Sequence, residues 1–225
     1  MALLKGEGTH QVLYGSADIF SGLRHNLGYL ARPDHAGSFP TVILLHGSGG
    51  ITSSVKSFAR RLARHGLAVV GPDLLRGVSR RLSPPYPATA RIVADAANTL
   101  QWTASPDTPW VRPGPIGVVA LDRAASAALE FVSTDDVAGL ALVSPVLERA
   151  PATDVAVIGF YGKDDELVGP EDRAAALEAL GHGEWVLYGG AGHGLVDESA
   201  DDYRWDVAED VADRIVAFFD VILAG

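Results

Sequence analysis

The chain contains no cysteine among its 225 residues. That absence excludes disulfides, thiolate-held metals and a thiol nucleophile together. It also has no apolar run approaching the ~20 residues that span a bilayer. The opening "MALLKGEGTH" carries one lysine and no long apolar core, so it does not read as a signal peptide. Low-complexity segments and fixed-period repeats are missing as well. The expectation is a soluble cytoplasmic protein, although a lack of cysteine does not by itself fix the compartment. Positive charge is scarce: 18 Lys and Arg stand against 28 Asp and Glu, a formal net charge of -10. Nucleic-acid phosphates would repel such a surface. Much of the acid lies in "VDESADDYRWDVAEDVAD", read as a solvated acidic helix start, which suits the positive end of the helix dipole. His10, His25, His35, His65 and His182 show no metal-ligand spacing. "GSGG" lacks the lysine of a phosphate-binding P-loop. No metal and no cofactor is expected.

What the chain does have is apolar strands alternating with helices. "LGYLA", "TVILL", "LAVVGPDL", "PIGVVAL", "VAGLALVS", "VAVIGFYG" and "EWVLYGG" read as strands. "SVKSFARRLARHG" carries Val55, Phe58 and Leu62 at spacings of three and four, and Gly66 stops it. Further helices are expected over about 88–102, through "RAASAALEFV", and from Pro170 to about Leu180. The last helix sets Val207, Val211, Ile215, Phe218 and Ile222 on one face. This order predicts an α/β fold, a mostly parallel sheet covered on both faces. No connection has room for a second domain or a large cap, so residues 1–225 are expected to form a single domain. The longest stretch without clear structure is Leu75 to Pro87.

Ligands of such sheets bind at the carboxyl ends of the strands. The loops there are "HGSGG", "LRGVSRRLSPPYP", the turn at Asp122, "YGKDDELV" and "YGGAGHG". In "GPIGVVALDRAASAALEF" a buried strand turns into a helix of small residues. Such a turn exposes one side chain, here Asp122, and needs small neighbours, here Ala120 and Ala124. Two readings of Asp122 stand side by side: a group presented at the tip of the turn, or a plain helix N-cap. His193 lies in a glycine-rich loop after a late strand. Asp164 and Asp165 follow an earlier one. Asp122, then an acid, then His193 is the nucleophile–acid–histidine order of α/β-hydrolases. The glycines of "HGSGG" free backbone N–H groups to stabilise an oxyanion.

With these segments the sequence resembles the dienelactone hydrolase family of the α/β-hydrolase superfamily. The likeness runs through "LGYLARPD", "FPTVILLHGSGG", "GLAVVGPDLL", "IGVVALD", "FYGKDDELV" and "GGAGHGL". It implies a compact α/β-hydrolase acting on a small ester or lactone. The family's G-x-x-D-x-x-V pattern falls on Gly162, Asp165 and Val168, which makes Asp165 the acid and Asp164 the second choice. The family histidine matches His193. The oxyanion donors would be the backbone N–H groups of Ser48 or Gly49 and of Arg123. Asp122 occupies the position of the family's cysteine or serine, and alanines replace both flanking glycines.

A carboxylate is itself a covalent nucleophile. In the related haloalkane dehalogenases and epoxide hydrolases an aspartate attacks an alkyl carbon, and histidine-activated water cleaves the ester. Asp122, His193 and Asp165 would supply those groups toward an ester, lactone, epoxide or halide-like substrate. Alternatively Asp122 and His193 act as a general acid–base pair in a lyase, isomerase or cyclase. A protein that only binds a small molecule is the third reading. Arg76, Arg80 and Arg81 lie on the expected site face, and a guanidinium fork there would clamp a substrate carboxylate. Solvated surface arginines are the simpler reading. His46 is expected to order its loop, and Ser144 is the one substitute hydroxyl nucleophile. The partner expected is a small-molecule substrate, the oligomeric state monomer or homodimer.

Overall fold

The computed structural model describes residues 8–21, 24–77, 86–132, 136–147 and 153–224. Arg80 and Arg81 lie outside them. Among the described residues eight strands form one sheet: β1 (Val12–Ser21), β2 (Arg24–Pro33), β3 (Thr41–Leu45), β4 (Ala68–Pro72), β5 (Ile116–Leu121), β6 (Val137–Val143), β7 (Ala156–Gly162) and β8 (Glu184–Tyr188). Their order is β1-β2-β4-β3-β5-β6-β7-β8. β1 pairs antiparallel with β2, and β2 antiparallel with β4. Every other pairing is parallel. Among the same described residues five helices cover the sheet: α1 (Ser53–Arg64), α2 (Thr89–Thr103), α3 (Ala124–Phe131), α4 (Pro170–Ala179) and α5 (Trp205–Ile222). This is the α/β architecture the alternating pattern predicts. Among the described residues no helix is long and apolar enough to cross a membrane.

The unbroken apolar runs have a direct cause. Along β3, Val42 and Leu44 face a core shared with α1 and α5, while Ile43 and Leu45 face a second core shared with α2 and α3. A strand buried on both faces has no polar side to alternate. Val207, Val211 and Ile215 are buried as the spacing predicts. Phe218 and Ile222 pack only partly buried, and Phe219 reaches the core instead.

β1 is absent from the sequence expectations. It is an edge strand, with Ala17 and Ile19 turned inward while Asp18 and Phe20 are exposed. Gly15, Ser16 and Asp18 interrupt its apolar residues, so it lacks the unbroken run that marks the central strands. The acidic segment before α5 also differs from expectation. Residues 197–202 form turns, and the helix starts only at Trp205. Glu209, within that helix, is buried against Arg61, Nη1 to Oε1 2.7 Å.

Candidate active site

β5 ends at Leu121 and α3 begins at Ala124, so the chain must reverse within two residues. Asp122 takes the strain, with φ at +52°, a left-handed conformation unfavourable for any residue but glycine. Its N–H donates to the Val143 carbonyl at 3.1 Å, and its carbonyl accepts from Val146 N–H at 3.2 Å. Both bonds tie the turn to the end of β6. The N-cap position of α3 is Arg123, without a side-chain capping bond. The plain-cap reading of Asp122 is therefore corrected: the left-handed turn swings its carboxylate away from the helix amides.

That carboxylate faces the loop after β3. Oδ2 accepts hydrogen bonds from Ser48 N–H at 3.1 Å and from the Ser48 hydroxyl at 3.0 Å. Only glycine at position 47 permits the approach, because a Cβ there would lie 2.6 Å from Asp122 Oδ2. Oδ1 stands 3.5 Å from His193 Nε2, an ion-pair separation rather than a completed hydrogen bond. The other face of the imidazole is fixed: Nδ1–H donates to Asp165 Oδ2 at 2.8 Å. Oδ1 of Asp165 accepts from Leu167 N–H and Val168 N–H at 2.8 and 3.0 Å. Asp165 is thus the acid bonded to the imidazole. Asp164 donates only its backbone N–H, to the Ala191 carbonyl. Arg173, buried on α4, donates to the carbonyls of Val168 and Lys163, on either side of Asp165.

The charges follow from this geometry. Burial pulls the His193 pKa down, but the close Asp122 carboxylate, the hydrogen bond to Asp165 and the two negative charges outweigh it and raise it to about 9. The ring is an imidazolium at neutral pH. Burial would raise the Asp122 carboxyl, yet His193 and the two Ser48 donors hold it below its ordinary value. Burial likewise opposes the lowering of Asp165 by His193 and by Val168 and Leu167 N–H. The arrangement is a cation held between two ionised carboxylates, one nearly sealed in protein and the other facing a cavity.

The cavity holds about 450 Å³, and Asp122, His193, Ser48, Gly49 and Arg123 all line it. Its size suits a small molecule. A larger cavity of about 1060 Å³ lies at the opposite end of β5, where Ile116 and Asp136 line it. It contains none of the residues above. Among the described residues no group of three or more His, Asp or Glu side chains is placed to hold a metal.

Several sequence expectations change. Arg76 does not reach the cavity: its guanidinium forms a two-pronged pair with the buried carboxylate of Asp95, Nη2 to Oδ1 2.6 Å. An unpaired buried carboxylate is costly, so this arginine is committed to structure rather than to substrate. Ser144 is not an activated nucleophile, because its hydroxyl donates to the His193 carbonyl at 2.6 Å. It too has a positive φ, +46°, so strain gathers at the ends of β5 and β6. His46 orders its loop: Nδ1–H donates to the Gly47 carbonyl, and Nε2 accepts from Leu74 N–H. Asp197, Thr52 and Ser54 also line the cavity and were not anticipated. Asp197 sits in the acidic run, where composition gives no hint that one carboxylate turns inward.

The sequence profile of the dienelactone hydrolase family matches residues 27–106. No curated protein matches the chain. Among solved structures, a putative dienelactone hydrolase from Klebsiella pneumoniae subsp. pneumoniae MGH 78578 aligns with a TM-score of 0.81 at 19% identity, covering 93% of this chain and 98% of that one. A dienelactone hydrolase-like promiscuous phosphotriesterase from metagenomic libraries aligns with a TM-score of 0.76 at 18% identity, over 94% and 98% of the two chains. A dienelactone hydrolase from Anabaena variabilis ATCC 29413 gives 0.73 at 20% identity, over 95% and 99%. The chain has the α/β-hydrolase fold of the dienelactone hydrolases and, across residues 27–106, the sequence signature of that family.

Proposed function

We propose that the chain is a single-domain hydrolase in which Asp122 is a covalent nucleophile toward a small alkyl electrophile, a halide- or epoxide-like substrate. The observation that carries this reading is the division of labour between the two oxygens of Asp122. Oδ2 sits on the Ser48 N–H and hydroxyl, where the oxyanion of an ester or lactone substrate would have to bind. That blocks direct acyl transfer and disfavours the family's usual chemistry here. Oδ1 makes no completed hydrogen bond and lies beside His193.

In the first half-reaction Oδ1 attacks a saturated carbon. The bond to the leaving group breaks, the leaving group departs with the electron pair, and an ester forms on Asp122. Esterification removes the negative charge of Asp122 and with it part of what holds the extra proton on His193. The ring therefore gives that proton to the departing alkoxide of an epoxide or, when the leaving group is a halide, to solvent, and becomes neutral. In the second half-reaction neutral His193, oriented by Asp165, takes a proton from water as the hydroxide adds to Cγ. Negative charge develops on Oδ2, where the two Ser48 donors already stand. Collapse expels the alcohol oxygen, which takes the proton from His193. The new carboxyl then gives its proton to the ring and restores the ion pair.

The resting imidazolium beside an ionised carboxylate also favours a second reading. Such a pair is prepared to donate and remove protons without covalent attachment, as a lyase or isomerase requires. Turnover in water enriched in oxygen-18 separates the two. A nucleophilic Asp122 incorporates the label into its own carboxyl group over repeated cycles, detected by mass spectrometry of the peptide containing it. An Asp122 that stays unlabelled through many turnovers is not the nucleophile.

A further inference from the structure

Among the described residues, the ionisable side chains lining the cavity besides His193 are Asp122, Arg123 and Asp197. Asp197 lies in the turn that follows the His193 loop and takes no part in the triad. Its Oδ1 accepts from the Ser54 hydroxyl at 2.7 Å, from Ser199 N–H at 3.0 Å and from the Ser199 hydroxyl at 2.7 Å. Burial pushes its carboxyl up, but these donors hold it below its ordinary value, so it is ionised at neutral pH. Ser54 belongs to the first turn of α1 and is itself buried, which fixes the carboxylate against a rigid element. Among the described residues no protein group donates to the second oxygen, Oδ2.

The rest of the lining sharpens the contrast. Val55, Leu121, Val146 and Leu195 supply apolar surface beside these groups, and Leu167 is 71% exposed at the lining's edge. The charge of His193 is already matched by two carboxylates. Arg123 is exposed to solvent, and Arg76 is bound to Asp95 outside the cavity. Among the described residues an anionic substrate would meet two carboxylates and no unmatched buried cation. An ammonium group would meet a preorganised carboxylate with one oxygen still to satisfy.

We propose that Asp197 is a specificity residue that receives a substrate ammonium group, so that the cavity takes small alkyl electrophiles bearing an amine rather than carboxylated lactones. The identity of the reacting carbon rests on the Asp122 nucleophile reading. The ammonium subsite does not, because it is tested by binding alone.

The probes are n-propylammonium, n-propanol and propionate, of nearly equal size, titrated at pH 7 into protein with nitrogen-15-labelled histidines. Occupancy is read from the His193 ring resonances. Propylammonium should bind at least about tenfold more tightly than propanol, and propionate most weakly. Asp197→Asn keeps an Oδ1 to accept from Ser54 and Ser199, so the turn is preserved while the charge is removed. It should abolish the preference for the ammonium and leave propanol binding within about twofold. In Asp122→Asn the order of the three probes should persist. A preference that survives Asp197→Asn, or disappears in Asp122→Asn, overturns the proposal, as does propionate binding as tightly as propylammonium. If Asp122 stays unlabelled by oxygen-18 while the ammonium preference tracks Asp197, the nucleophile reading fails and the subsite stands.

Discussion

His193 Nε2 stands 3.5 Å from Oδ1 of Asp122, while the opposite nitrogen of the same ring is bonded to Asp165 at 2.8 Å. The imidazole is therefore shared between a carboxylate that faces the cavity and one that is sealed in protein. Under the proposed mechanism, esterification of Asp122 would change the charge state of the ring, and several expectations follow from that coupling.

Removing the base should trap the ester. His193→Gln leaves Oδ1 able to attack but gives water no proton acceptor. With 1-bromobutane as probe, intact-protein mass spectrometry should show one butyl group accumulating on the peptide that contains Asp122. The unaltered protein should show little adduct at steady state, and Asp122→Asn none.

Ser48→Ala keeps the backbone N–H on Oδ2 and loses only the hydroxyl. Because charge builds on Oδ2 during ester hydrolysis, that half-reaction should slow by about 10²-fold, the order expected for one oxyanion donor. Alkylation should change far less. Rapid-quench kinetics should therefore show a burst of ester followed by slow turnover.

Asp122→Ser empties the position that Oδ2 occupies and releases the Ser48 N–H. It also removes a negative charge from beside His193, so the ring pKa should fall below about 9 toward neutrality. Both changes favour acyl transfer. This variant should hydrolyse p-nitrophenyl acetate measurably faster than the unaltered protein.

Stability should depend on pH in two opposed ways. His193 keeps its proton to about pH 9 in the folded chain, against a reference value of 6.5. Its contribution is complete below about pH 6.5 and is lost as pH rises through about 9. Asp122 and Asp165 are held below 3.8, so their contribution is present above that value and is lost as pH falls through their folded pKa values. Urea unfolding midpoints should be highest between about pH 4.5 and 6.5. In Asp122→Asn the alkaline decline should be smaller and should end at lower pH, because only the folded pKa of His193 falls.

Gly47→Ala should damage both fold and site. The added methyl would lie 2.6 Å from Asp122 Oδ2 and 2.7 Å from its Cβ, with the Asp122 backbone already held in a left-handed turn. An overpacked contact of this kind costs about 1–3 kcal/mol. A lower urea midpoint, together with loss of adduct formation at Asp122, is the expected outcome.

Much of this protein follows from local chemistry along the chain. Apolar runs such as "TVILL" and "PIGVVAL" determine strands buried on both faces, and small residues after Asp122 determine a tight strand–helix turn. The order of Asp122, Asp165 and His193 followed from which strand each one ends. The edge strand Val12–Ser21 was not legible, because one face meets solvent and Gly15, Ser16 and Asp18 break its apolar residues into short stretches. Only the tertiary structure decided which charges meet. It paired Arg76 with Asp95, turned Asp122 Oδ2 onto Ser48 and brought Asp197 into the cavity wall. Strand and turn preferences act over a few residues and are written in neighbouring side chains. Ion pairing acts through space, between positions whose separation along the chain says nothing about their distance once the sheet has formed.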